Sequence, residues 1–208
     1  MTTRTVGGGA VPLRSESFEK FAGVCAILAG ATGFLYAVSF VVLQDVLLSG
    51  LFLMLSGLLS TALLAAVYER LRETDAAFAI WALLLGIAGA LGSAVHGGYD
   101  LANSINPPPS IPDLPDPVDP RGLLTFGVAG VALFVVAWLI LRGGQFPRGL
   151  GYLTYLSAVL LVALYLGRLI ILEPTNPVIL IPALLNGFLV NSALYIWLGV
   201  ALLRGRGE

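Results

Sequence analysis

The stretch AFAIWALLLGIAGALGSAVHGGYDL, Ala77–Leu101, carries no charged side chain until Asp100. About 20 helical residues cross a hydrocarbon core of about 30 Å, and this run is long enough to do so. Working outward, five more runs of the same kind appear: Phe21–Leu43 and Val46–Tyr68 before it, then Leu123–Leu141, Leu150–Leu172 and Val178–Leu203 after it. Inside lipid a backbone amide must bond within its own segment, so such runs predict helices. Barrel strands would be short and would alternate apolar with polar residues, which these continuous runs do not. The expected fold is an all-α membrane protein, a bundle of six transmembrane helices.

Composition points the same way. Of the residues, 58% are hydrophobic and 11% are charged, against about 25% charged in ordinary soluble domains. A soluble domain of 208 residues could not hide so much apolar surface, whereas lipid solvates it. A net charge of −1 offers no attraction to nucleic acid. Cys25 is the only cysteine, so an intrachain disulfide is excluded and the residue reads as small packing material. The first run is longer than a signal-peptide core and lacks a small-x-small cleavage site before polar sequence. It reads as a retained span.

The basic residues give an orientation. Arg4, Arg14 and Lys20 precede span one, and Arg70 and Arg72 follow span two. Arg142 and Arg148 lie between spans four and five, and Arg204 and Arg206 follow span six. With six spans all of these fall on one side; of 11 lysines and arginines only Arg121 and Arg168 fall on the other. Positively charged loops stay in the cytoplasm, so both termini are expected there.

Along the chain, residues 1–17 are polar and Gly-rich and read as a disordered cytoplasmic segment. Residues 18–204 form the six-helix domain, and 205–208 a cytoplasmic tail. Spans one and two are joined by a tight turn at Gln44–Asp45. The extracytoplasmic connection 105–120 is rich in proline, which forbids helix and favours an extended spacer, with a lid as the alternative. In span three Ala82, Gly86, Ala90, Ala94 and Gly98 recur every fourth residue, with Gly89, Ser93 and Gly97 alongside. Small residues let lipid-embedded helices approach closely, which marks span three as a candidate central helix, or alternatively as a homo-oligomer face.

Polar groups within spans need partners. His96 and Asp100 are one helical turn apart, with Tyr99 and Asn103 beside them. Arg168 interrupts span five and Asn186 lies in the outer half of span six. The topology puts Asp100 and Arg168 at similar depth, so an Asp100–Arg168 ion pair with His96 adjacent is expected. These six residues form the candidate ligand site. A retinal Schiff base would need a lysine within a span, bis-histidine haem a second histidine, and a zinc or di-iron centre more ligands than the spans hold. No phosphate-binding loop or dinucleotide fingerprint occurs.

The segment His96–Asn103, with Arg148–Tyr152 and Leu166–Ile170, resembles six-helix membrane proteins of actinobacteria and similar bacteria. That resemblance implies a bacterial inner (plasma) membrane and no particular activity. The His-then-Asp cluster late in span three and the Gly149-Leu150-Gly151 turn also look like the Insig family of six-helix sterol sensors, although the Pro-rich connection departs from it. That likeness implies a lipid-binding cavity between helices. The expected function is non-enzymatic binding of a lipid or small apolar ligand, without a cofactor, with membrane lipids as partners. A transporter or membrane enzyme using His96, Asp100 and Arg168, and a scaffold or signalling subunit of a membrane complex, are the alternatives.

Overall fold

The computed structural model describes residues 16–107, 121–171 and 176–205. These residues are helical throughout apart from short turns, with no strand among them. Six helices are long and apolar enough to cross a membrane: α1 (Glu16–Leu43), α2 (Val46–Leu71), α3 (Ala76–Ile105), α4 (Leu123–Arg142), α5 (Arg148–Ile170) and α6 (Pro177–Leu203). Each overlaps one expected span. The first begins earlier than Phe21, where Glu16 and Lys20 pair across one turn at 2.7 Å. Glu16 and Ser17 are thus helical, and the remainder of the expected disordered segment lies outside the described residues, as does most of the Pro-rich connection.

Local chemistry sets the ends. Gln44 takes a left-handed conformation (φ 53°), and the Asp45 amide donates back to the Ser39 carbonyl at 3.0 Å, closing α1 as left-handed caps do. The Asp45 carboxylate then accepts from the Leu48 amide at 3.0 Å and opens α2. Asp75 caps α3 in the same manner, accepting from the amides of Ala77 and Phe78. Three segments wind wider, as π-helix: Val38–Leu43 in α1, Leu123–Val128 in α4 and Leu185–Val190 in α6. The last follows Pro182, whose missing amide breaks the regular ladder.

The helices form a ring in chain order. Each packs on the next, and α6 closes the ring on α1. Glycine fixes how close they come. Where α2 crosses α3, a Cβ on Gly97 would strike the Gly50 carbonyl and the Met54 amide, and one on Gly57 would lie 2.5 Å from the Ala90 carbonyl. Gly23 and Gly199 make the matching contact between α1 and α6. The small-residue face of α3 is therefore used within the chain, against α2, while Gly89 and Gly92 meet α4 at Ala129 and Leu124. Helix α3 lies between two neighbours in the ring and is not its centre.

The two ends of the ring differ. One holds the start of α1 and the ends of α2, α4 and α6; we call it the Arg70 end, and the other the Asp100 end. The Arg70 half is filled by a continuous apolar core that includes Ala26, Leu63, Val67, Leu139, Leu150 and Leu198. Arg70, only 2% exposed, closes this half. Its guanidinium donates to both carboxylate oxygens of Glu19 at 3.2 and 3.3 Å. It also donates to the Ala201 and Leu202 carbonyls at 3.2 and 3.4 Å and lies 5.3 Å from the centre of the Phe146 ring. A buried guanidinium is tolerated only when so many of its donors are met. Arg70 entered the sequence argument as a loop charge; it ties α2 to α1 and α6.

Candidate functional site

Two polar features occupy the Asp100 end. The first joins α3 to α4. Asp100 Oδ1 accepts from Arg121 Nη1 at 2.8 Å, and the same guanidinium lies 4.7 Å from the centre of the Tyr99 ring. His96 Nε2 is 3.6 Å from Asp100 Oδ2, and its Nδ1 is 3.4 Å from the Thr125 hydroxyl. Asp100 and Arg121 are each about a quarter exposed, so the pair sits at the edge of the bundle. Asn103, one turn further along α3, is partly buried and makes no side-chain hydrogen bond among the described residues.

The expected partner of Asp100 is thereby corrected: it is Arg121, and no ion pair joins Asp100 to Arg168. The cause is the ring. Helix α3 is flanked by α2 and α4, so the cation that reaches Asp100 comes from Arg121, just ahead of α4, and not from α5. Depth alone, the basis of the expectation, says nothing about which helices are neighbours.

The second feature is a cavity of about 330 Å3 within the ring, reaching from its Asp100 half past the middle to Leu64, Gly86 and Tyr195, and all six helices contribute to it. Most of its wall is apolar, including Leu53, Leu64, Phe126, Leu133, Leu161 and Leu184. Arg168 and Asn186 are on this wall, together with Tyr36, Asn191 and Tyr195, which are new to the site. Asn186 is buried and accepts a hydrogen bond from the Ser157 hydroxyl at 3.0 Å. Thr125 belongs to both features, since it faces His96 and also lines the cavity.

Every π-helical segment contributes to this wall: Phe40 and Val41 from the first, Thr125 and Phe126 from the second, Asn186 and Gly187 from the third. An inserted residue widens the local turn and re-aims side chains, which is why such segments recur at functional sites. The candidate residues of the sequence thus divide. His96, Tyr99 and Asp100 belong to the edge cluster, Arg168 and Asn186 to the cavity, and Asn103 to neither.

The edge cluster has the order hydroxyl, imidazole, carboxylate found in nucleophilic catalysis. Its hydrogen bonding argues against that use. The Thr125 hydroxyl donates to the Arg121 carbonyl at 3.1 Å, and Asp100 is engaged by Arg121. The arrangement braces α3 against α4. The chemically open feature is the cavity, whose wall among the described residues holds neutral hydrogen-bonding groups and one guanidinium, that of Arg168. Such a wall can hold an apolar body and orient it by a polar end. Comparison of the chain with protein-family models, with curated proteins and with solved structures finds no match.

Proposed function

We propose that this chain is a six-span integral membrane protein whose ring of helices binds a small, largely apolar molecule. The single observation that carries this reading is the cavity of about 330 Å3 in a bundle otherwise closely packed. Ligand sites run from about 300 to 1,000 Å3 and are mainly apolar with a few placed polar groups.

The membrane part of the proposal rests on the outer surface. The bundle exposes many large apolar residues on its outer surface, including Leu84, Val95, Val159, Ile170 and Leu189. Such a surface calls for lipid rather than water. The 3 tryptophans, Trp81, Trp138 and Trp197, all lie in the parts of their helices nearer the Arg70 end, as residues at a membrane interface do. Arg142 stacks on Trp138 at 4.9 Å from the ring centre. With the basic residues gathered at that end, we place it and both termini in the cytoplasm. The resemblance of the His96–Asn103 segment to bacterial proteins favours the plasma membrane of a bacterium.

The transporter reading fares less well on the same observations. Its polar path would have to reach the Arg70 end, and there the ring is filled with apolar side chains and closed by Arg70. The binding reading is tested by native mass spectrometry of the protein extracted from its own membrane. The expected result is a retained small molecule that is lost in Ala183→Trp, a substitution that fills the cavity from α6. A protein that carries no such molecule, or carries it unchanged in the variant, would overturn the reading.

A further inference from the structure

Where α1 and α6 part, residues of the cavity wall are also exposed. Helices α1 and α6 stay together from Gly23 and Gly199 as far as Ala37 and Gly187, where a Cβ on the glycine would lie 3.2 Å from that of Ala37. Beyond that point they part. Val38–Leu43 leans on α2, while Pro177–Leu184 leans on α5. Phe40 and Val41 on one edge and Leu180 on the other are exposed on the outer surface and also line the cavity. The mouth is therefore an apolar gap between two helices, facing where acyl chains would lie. Both edges are irregular helix, the π-helical end of α1 and the Pro182-containing start of α6.

Arg168 stands in the last turn of α5, toward the Asp100 end of the ring. Its side chain is exposed and lines the cavity. Among the described residues no carboxylate lies within ion-pair distance of it, and no Asp, Glu, Lys or His shares the wall. Near the end of a membrane span an arginine gains from an anionic partner, and guanidinium groups match carboxylate and phosphate oxygens with paired hydrogen bonds.

We propose that the cavity takes a single-chain amphiphile with an anionic head, a carboxylate or a phosphate monoester, which enters from the bilayer between α1 and α6. Arg168 binds the head at the mouth, and the chain runs inward toward Leu64 and Tyr195. The proposal rests on the ligand-binding reading of the cavity and names the class of ligand. The volume suits one chain: it is near the lower end of the range for ligand sites. The apolar wall suits a chain, and Arg168, the one charged group among the described wall residues, suits an anion.

The test uses the full chain in nanodiscs of phosphatidylcholine, with photoactivatable palmitate and photoactivatable hexadecanol as probes. Each carries its reactive group near the chain end. Palmitate should label the deep wall around Leu64 and Leu133, and hexadecyl phosphate should displace it. Arg168→Gln should weaken palmitate by about tenfold, the effect of losing one charge-assisted contact. Arg168→Lys should retain most of the binding, and hexadecanol should be weaker and indifferent to Arg168→Gln. If acid and alcohol label alike and both ignore Arg168→Gln, the anionic head is refuted while the ligand cavity stands. Displacement by phosphatidylglycerol but not by hexadecyl phosphate would refute the single chain. If neither probe reaches the wall, the inference and the cavity reading fall together.

Discussion

Asp100 shows what a charge at the edge of an apolar bundle requires. Its carboxylate meets Arg121 at 2.8 Å, and each side chain keeps 28% of its surface exposed. Partial exposure screens the pair, so a modest coupling is expected, about 1 kcal/mol and not the several of a buried pair. A double-mutant cycle of Asp100→Asn with Arg121→Gln, read as thermal stability in detergent, should give that coupling. The same cycle with Arg168→Gln should give none, and the reverse pattern would show that Asp100 is held from α5. Sequence reasoning found Asp100 and His96 from the cost of burying them, but chose the wrong arginine. Both arginines fall on the same side of the span pattern, and only adjacency in the ring separates them. Arg70 was equally hidden: in the sequence it is one more basic residue after a span, and its bonds to Glu19 and α6 depend on the ring closing.

Helix existence and approximate length were legible at the scale of elements, because lipid leaves a continuous apolar run only one way to satisfy its amides. The tight Gln44–Asp45 connection was legible too, and the structure supplies the left-handed Gln44 that makes it. The π-helical segments were not. Their register depends on tertiary packing, and only Pro182 gave a local hint. The small-residue stripe of α3 was read correctly as a packing face, but the stripe could not say which partner it meets. Adjacent glycines now test that partner. A Cβ at Gly97 meets backbone of α2, while one at Gly98 meets only Met54 Sδ at 3.6 Å, an ordinary contact. Replacing either glycine with alanine gains about 1 kcal/mol of helix propensity. Gly98→Ala should therefore be neutral or stabilising, while Gly97→Ala should destabilise by about 1–3 kcal/mol through overpacking. Equal melting temperatures for the two variants would mean that α2 and α3 do not cross there.

At the scale of the molecule, the described helices form a ring that is solid toward the Arg70 end and encloses a cavity toward the Asp100 end. The sequence carried the solid end as apolar residues and the hollow end only as polar residues without obvious partners, since a cavity is a property of spacing between helices. Helices α1 and α6 lie far apart in sequence, and nothing local announces that they meet. The proposed orientation is checked with Asn106→Cys and Gly144→Cys, exposed positions at opposite ends of the bundle. The native Cys25 is buried and should stay silent. In intact cells a membrane-impermeant thiol reagent should label the first and spare the second. Labelling of both, or of the second alone, would overturn the orientation. The binding claim itself is met most directly by an experimental density map of the protein purified within its native lipids. The account predicts one elongated feature bounded by Tyr36, Ser93 and Asn186, with an end at Arg168. Side chains collapsed into that space, or a water-filled passage continuing past Tyr195 to the Arg70 end, would contradict it.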